Sequence, residues 1–127
     1  MDARELLAGM IGRTLFVVHS EPAPDADPER GAALFEDHLR HIIEWEQSGV
    51  LFAAGPYRKD GKVTPRALYI LRADSVEEAT AIAAEEPLHK HGIRSFTVDE
   101  WVLNQGRIGV TIDFSTQRAG LDGPYQR

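Results

Sequence analysis

The sequence contains no cysteine among its 127 residues. This absence excludes disulfide bonds, thiolate catalysis and any zinc or iron–sulfur site that uses cysteine ligands. Long apolar runs are missing as well, because no stretch approaches the roughly 20 residues that a membrane-spanning helix requires. The first residues include an acidic side chain at position 2 and lack the apolar core of a secretory signal. We therefore expect a cytoplasmic protein with no membrane partner.

Positive charge is also in short supply, since 14 lysines and arginines face 20 aspartates and glutamates, for a net charge of -6. The basic residues are scattered singly rather than gathered in a stripe, which disfavours nucleic acid as a partner. Glycine-rich nucleotide loops, nucleophile elbows and flavin fingerprints are absent, so we predict no cofactor. What remains is the composition of a globular protein, 43% hydrophobic and 27% charged, with room for one hydrophobic core.

The hydrophobic pattern alternates between the periods of strands and helices. It predicts a strand over 14–19, a helix over 28–48, strands over 50–57 and 67–72, a helix from 76 that Pro87 ends, and a strand over 93–103. This order is that of an α+β ferredoxin-like βαββαβ sandwich. Both helices would cover one face of an antiparallel sheet, and we expect a second copy of the chain to cover the other, giving a homodimer.

The two ends of the chain lie outside this pattern. Residues 2–11 predict a short N-terminal helix, and the alternation from Ile108 to Phe114 predicts an additional C-terminal strand. No hairpin partner for this strand is evident, so it either reaches across to the other subunit or extends its own sheet, before a loose tail. We predict a single domain with a core over 14–104 and a C-terminal extension over 105–127.

A candidate site begins on the long helix. Leu34, His38, Ile42 and Trp45 share one stripe at helical spacing, so His38 is an imidazole within or beside an apolar face. Most histidines in such a position are structural, but an imidazole at the margin of a core can also exchange protons near neutral pH. His41 lies near the edge of the same face, where it either contacts a ligand or is solvated.

Several segments in a fixed order resemble the YciI-like (YCII-related) family. They are His38-Leu39, Gly49-Val50-Leu51, Gly55-Pro56, the run from Ser75 to Ala79, and an acidic residue before Pro87. The resemblance covers about Thr14 to Asn104 and implies a dimeric α/β barrel made of two ferredoxin-like subunits. It also implies a pocket between helix and sheet, in which the family's histidine pairs with the aspartate of an Asp-Pro motif.

His38 matches the family's histidine, and Glu86 stands where the family has aspartate. Glutamate is longer by a methylene group, so its carboxylate still reaches an imidazole, with altered geometry. Dimeric α/β barrels include muconolactone isomerases and a dehydrochlorinase of chlorinated hydroxyquinols. The resemblance therefore implies a lyase or isomerase that acts on a small cyclic or phenolic substrate, with His38 and Glu86 as its catalytic residues.

Further side chains are candidates for substrate binding. Tyr57 and Arg58 follow Gly55-Pro56, where the glycine lets a ligand approach the backbone and the phenol can bond a substrate oxygen. The alternative is an ordinary turn with a packed aromatic ring. We predict that both residues, together with His41 and the two histidines after Pro87, contact substrate.

Those two histidines, His89 and His91, admit more than one interpretation. With His38 and Glu86 they supply nitrogen and oxygen ligands suited to a metal ion, although such a pair after a helix end is more often solvated, and we predict no metal. A second class of function is also open. The loss of the family aspartate and the two added termini favour a non-catalytic small-molecule-binding or accessory module, whereas an ionisable pair in a pocket favours an enzyme.

Overall fold

The computed structural model describes residues 1–121 and shows two compact units. One unit is Arg13–Leu103, whose limits lie within one residue of the predicted core. The other combines Met1–Gly12 with the segment that begins at Asn104. The elements in chain order are α1 (Ala3–Ala8), β1 (Arg13–Pro22), α2 (Pro28–Ser48), β2 (Leu51–Lys59), β3 (Lys62–Leu71), α3 (Val76–Ala84), α4 (Pro87–Lys90), β4 (Arg94–Leu103), β5 (Val110–Asp113) and β6 (Arg118–Leu121).

The larger unit is built on a four-stranded antiparallel sheet. The strand order is β2-β3-β1-β4, so the first strand in sequence is central and pairs with β3 and β4. Val18 of β1 stands opposite Tyr69 of β3 on one side and Val98 of β4 on the other. This order, with a helix after β1 and another after β3, confirms the predicted α+β ferredoxin-like arrangement.

Local signals place the ends of these elements. The Asp27 carboxylate accepts the backbone N–H of Glu29 at 3.0 Å and caps α2, and Pro28 occupies the first turn. Gly49 ends the helix in the left-handed conformation, at a φ of 86°. A tight turn at Asp60-Gly61 joins β2 to β3, because both residues adopt positive φ, 52° and 77°.

The core lies between the helices and one face of the sheet. Alternate residues of β1, namely Phe16, Val18 and Ser20, are buried on this side. Val18 belongs to a buried cluster with Trp45 of α2 and Tyr69 of β3, to which Leu51, Leu71 and Ala83 also belong. Packing of α2 against this face therefore sets the position of every side chain that the helix directs toward the sheet.

No helix crosses the other face of the sheet, in the part of the chain between Arg13 and Leu103. Val17 of β1 and Ile70 of β3, which stand opposite each other, are half-buried there, and Trp101 of β4 is 39% exposed. His19 and Asp99 form an ion pair on the same face. Within residues 1–121, no helix is long and apolar enough to cross a bilayer.

The ends of the chain correct two expectations. Helix α1 is shorter than the predicted 2–11, because it stops before Gly9. The strand β5 does have a hairpin partner, since it pairs antiparallel with β6, contrary to the prediction that it reaches another subunit or extends its own sheet. The turn is closed by Gln117, whose φ is 57° and whose N–H donates to the carbonyl of Asp113 at 2.8 Å. The sequence carries no glycine at that position to signal it. Residues 122–127 of the predicted tail lie outside the described residues.

Candidate functional site

A cavity of about 480 Å³ lies between α2 and the hairpin of β2 and β3, and its floor includes residues of α4 and β4. Its wall is mostly apolar, with Phe35, Leu39, Ile42 and Ile43 along the helix. The ionisable side chains on the wall are His38, Arg66, Tyr69 and Arg94. A mostly apolar cavity with a few converging polar groups is the usual form of a small-molecule site.

The predicted pair of His38 and Glu86 is present in this structure. The two residues are 48 positions apart in sequence, yet Nδ1 of His38 lies 2.6 Å from Oε1 of Glu86. The Glu86 side chain is fully buried, and that of His38 is 12% exposed. Helix α2 directs the imidazole toward the sheet, and the carboxylate meets it from the start of α4.

The Glu86 carboxylate has a second task as the N-cap of α4. Pro87 was expected to end the preceding helix, but α3 already ends at Ala84, and Pro87 instead occupies the first turn of α4. Oε2 of Glu86 accepts the backbone N–H of His89 at 3.4 Å. Each carboxylate oxygen thus has a fixed partner, which holds the side chain in the orientation that the imidazole requires.

The charge on Glu86 follows from its surroundings. Burial acts to raise the pKa of this carboxyl, but the hydrogen bond from His38 and the electrostatic attraction of the imidazole when it is protonated act in the opposite direction and prevail, so the pKa is lowered. The ionised carboxylate only accepts hydrogen bonds, hence Nδ1 of His38 carries a proton and donates it. Nε2 of His38 has no hydrogen-bond partner within residues 1–121, and no buried polar atom there is unpaired, so Nε2 is open at the cavity wall.

His89, predicted to bind substrate, is instead buried behind the cavity wall. Its Nδ1 donates to the carbonyl of Ala83 at 2.8 Å, and its Nε2 lies 2.8 Å from Oγ of Ser20. Burial is the main cause that lowers the pKa of His89, so the ring is neutral and Nε2 accepts the Ser20 hydroxyl proton. Both ring nitrogens are therefore occupied, and the residue supports α4 from within the core.

Tyr69 is a site residue that the sequence pattern did not reveal. It is 4% exposed and lies on the cavity wall, with its ring centroid 6.4 Å from that of His38. Burial, and next the negative charge of Glu86, raise the pKa of its phenol, so it remains a protonated hydrogen-bond donor. The available signal was its position two residues before Leu71, on the side of β3 that faces the helices.

Arg94, the first residue of β4, is a second polar group on the wall that was not predicted. Its Nε donates to Oγ of Ser20 at 2.8 Å, and Ser20 in turn contacts His89. The available signal was the spacing of two residues, which places Arg94 on the same side of β4 as Phe96 and Val98, the side that faces the helices. An arginine in such a series is unusual and indicates a buried polar contact or a ligand.

The other predicted binding residues do not line this cavity. Tyr57 and Arg58 lie within β2, which continues to Lys59, and the guanidinium of Arg66 stacks 4.8 Å from the Tyr57 ring centre. Tyr57 therefore stands behind a residue of the cavity wall.

His41 and His91 lie on a separate, more polar depression of about 440 Å³, between α2 and the end of α4. The His41 ring packs edge-on against Trp45, with centroids 5.1 Å apart. Within residues 1–121, no group of three or more histidine, aspartate or glutamate side chains is arranged to hold a metal ion. Of the residues that the sequence suggested, the structure brings His38 and Glu86 together beside this cavity, with His89 behind them in contact with the other oxygen of Glu86.

Comparisons with known proteins agree with this fold. The sequence matches the profile of the YCII-related domain over residues 14–102. Among solved structures, the chain is similar to 5-chloro-2-hydroxyhydroquinone dehydrochlorinase (TftG) from Burkholderia phenoliruptrix AC1100, in complex with 2,5-dihydroxybenzoquinone. The TM-score is 0.54 at 19% identity, and the superposition covers 68% of this chain and 92% of that chain. At this identity the likeness shows a shared fold. No curated protein matches the sequence significantly.

Proposed function

The chain belongs to the YCII-related family, and we propose that it is a small, cofactor-independent enzyme that carries out acid/base elimination or isomerisation on a small cyclic or phenolic compound. The observation that carries this proposal is the 2.6 Å contact between Nδ1 of His38 and Oε1 of Glu86, at the wall of a cavity of about 480 Å³. The open Nε2 of the same imidazole is the atom that meets the substrate.

In the proposed mechanism His38 is the base. Nε2 takes a proton from the substrate, and the electron pair of the broken bond forms a new π bond. In an elimination the leaving group departs with its own electron pair, whereas in an isomerisation the imidazolium returns the proton to another carbon. The Glu86 carboxylate stabilises the imidazolium while it exists, and positioned proton transfer of this kind contributes about 10²–10⁴-fold to rate.

The walls of the cavity support the substrate class. The apolar side chains of α2 suit the body of a small ring, and the protonated phenol of Tyr69 is placed to donate to a substrate oxygen. TftG, whose fold this chain shares, is by its name a dehydrochlorinase of a chlorinated hydroquinone. That likeness makes halogenated hydroquinones the first substrates to examine.

The catalytic assignment is tested with His38→Gln, and with His41→Gln as a matched control on the same helix. Substrates are chlorinated hydroquinones, followed by chloride release, and cyclic enones and lactones in D₂O, followed by NMR for double-bond migration and deuterium uptake. We expect His38→Gln to lose about 10²–10⁴-fold in rate, and His41→Gln to retain the parent rate. A parent without activity on both series, or a His38 variant with full activity, would favour the non-catalytic binding module instead.

We also propose that a second copy of the chain covers the helix-free face of the sheet and completes a dimeric α/β barrel. Trp101, 39% exposed on the same face as the half-buried Val17 and Ile70, supports this assembly. Trp101→Glu is expected to shift the parent dimer to monomers in light scattering, while Glu100→Gln on the same strand leaves it unchanged. A monomeric parent would contradict the dimer. The cytoplasmic location and the absence of a nucleic-acid partner stay predictions.

A further inference from the structure

The guanidinium of Arg94 has one unoccupied edge on the cavity wall. Nε donates to Oγ of Ser20, and Nη2 donates to the carbonyl oxygens of Ser20 and Pro65. These bonds use the single N–H of Nε and both N–H groups of Nη2. Nη1 has no hydrogen-bond partner within residues 1–121, and no polar side-chain atom there is both buried and unpaired, so Nη1 is accessible.

The positive charge of Arg94 is also uncompensated locally. None of the ion pairs formed among residues 1–121 includes Arg94, and its three occupied contacts are to neutral oxygens. The buried carboxylate of Glu86 is already bonded to His38. A half-buried arginine that is anchored by three bonds and has no counter-ion is arranged to receive one.

The remaining residues of the cavity wall indicate the chemical character of the uncharged part of that counter-ion. Phe35, Leu39 and Ile42 of α2 and Leu88 of α4 offer apolar surface, which a hydrated inorganic ion does not match. We propose that the cavity binds a small organic monoanion, a carboxylate or a phenolate, whose charged oxygen bonds to Nη1 of Arg94 while its ring packs on this apolar surface. Arg94 is then the residue that selects anionic over neutral ligands.

This inference deepens the proposed function and rests on it for the statement that the ligand is a substrate. Anion binding itself does not require His38 to be catalytic. Tyr69 and Arg94 both lie on the wall of this cavity, and the positive charge of Arg94 acts to lower the pKa of the Tyr69 phenol, against the larger opposing effect of burial. A neutral phenol donor is therefore present on the same cavity wall as the free edge of Arg94.

The test compares ligands that differ in charge and little else. Benzoate is paired with benzamide, and 4-nitrophenolate, at a pH where it is ionised, with nitrobenzene. Dissociation constants are measured by NMR titration for the parent, Arg94→Gln and the control Arg40→Gln, which removes an exposed arginine of α2 that does not line this cavity. We expect the parent to prefer an anion by about tenfold or more, as one charge-assisted hydrogen bond provides. Arg94→Gln should remove this preference and Arg40→Gln should retain it.

A preference confined to benzoate or to 4-nitrophenolate supports the proposal and identifies the acidic group. Equal affinity for charged and neutral ligands in the parent, no binding of any of the four, or a preference that survives Arg94→Gln would overturn it. If Arg94→Gln does not fold, Arg94→Lys and the parent affinities still decide, because lysine retains the charge without the planar donor edge. His38→Gln separates the two proposals: a preserved anion preference without turnover leaves Arg94 assigned even if the acid/base mechanism fails.

Discussion

Two histidine–carboxylate pairs of the larger unit, His38 with Glu86 and His19 with Asp99, differ in almost every physical respect. His38 and Glu86 are 2.6 Å apart, with side chains 12% and 0% exposed. His19 and Asp99 are 3.1 Å apart, with side chains 39% and 70% exposed. The first pair lies between a helix and the sheet, and the second lies on neighbouring strands of the helix-free face. Identical chemistry is thus placed in two different dielectric environments.

The difference in burial determines what each pair can do. Water screens the exposed pair and competes for its hydrogen bonds, so the attraction between His19 and Asp99 contributes little. Water is largely absent around Glu86, so its charge depends on the single imidazole and the backbone amide that contact it. The buried pair is therefore strongly coupled to folding and to proton transfer, and the exposed one is coupled to neither.

Removal of the two carboxylates gives the largest expected contrast. Glu86→Ala leaves His38 without its partner, opens a void and removes the cap of α4, so we expect a loss of about 3 kcal/mol or more in the free energy of unfolding. Asp99→Ala should change that free energy by less than about 0.5 kcal/mol. Urea unfolding of the three proteins measures both values. Similar losses for the two variants would mean that burial does not separate the pairs.

Acidification should act through two buried groups, His89 and Glu86. The pKa of His89 is lowered below its ordinary value of 6.5, and that of Glu86 below its ordinary value of 4.5, so in both cases the unfolded chain takes up protons first as the pH falls. Stability should therefore decline below about pH 6.5 and again below about pH 4.5, by at most about 1.4 kcal/mol per pH unit for each group. The measurement is urea unfolding across this range.

Two variants sharpen the acid test. Glu86→Gln should flatten the lower part of the decline, because it removes the carboxyl that must be protonated. Asp99→Asn should leave the profile of the parent unchanged. A profile that responds to Asp99→Asn and ignores Glu86→Gln would show that the exposed pair governs acid unfolding.

Changes in carboxylate length give the smallest expected effect. Glu86→Asp restores the residue expected from the family resemblance but moves the carboxylate away from an imidazole that α2 holds at 2.6 Å, so we expect a loss of about 1 kcal/mol. Asp99→Glu should have no measurable effect, because both side chains of that pair are free to adjust in water. Thermal unfolding followed by circular dichroism measures the two shifts. Equal shifts of the unfolding temperature would mean that the 2.6 Å contact is not sensitive to the length of the carboxylate side chain.

Much of the fold follows from local chemistry in the sequence. Asp27-Pro28 and Gly49 set the limits of α2 because capping and left-handed backbone depend on the residue at that position alone. The order of strands and helices then restricts the topology to a few alternatives. The hairpin of β5 and β6 was missed for the same reason, since its turn uses Gln117 in a conformation that usually indicates glycine.

The residues of the candidate site were likewise predictable from the sequence only in part. Resemblance to the family pointed to His38 and Glu86, but proximity in sequence gave no means of excluding His41, His89 or His91. Which imidazole faces a cavity depends on the angle at which α2 and α4 pack. That angle is set by many weak contacts distributed over the whole core.

The sequence by itself determined the main strands and helices of the larger unit and their order, because these depend on periodicity, caps and residue type, and its resemblance to the family indicated the ionisable pair. Only the tertiary structure decided that Glu86 both caps α4 and orients His38, that His89 is bonded on both nitrogens, and that Arg94 keeps a free edge on the cavity wall. Those properties depend on which atoms meet across distant segments. Hydrogen bonds form only within a few tenths of an ångström of their preferred length, a precision that arises when the core has packed.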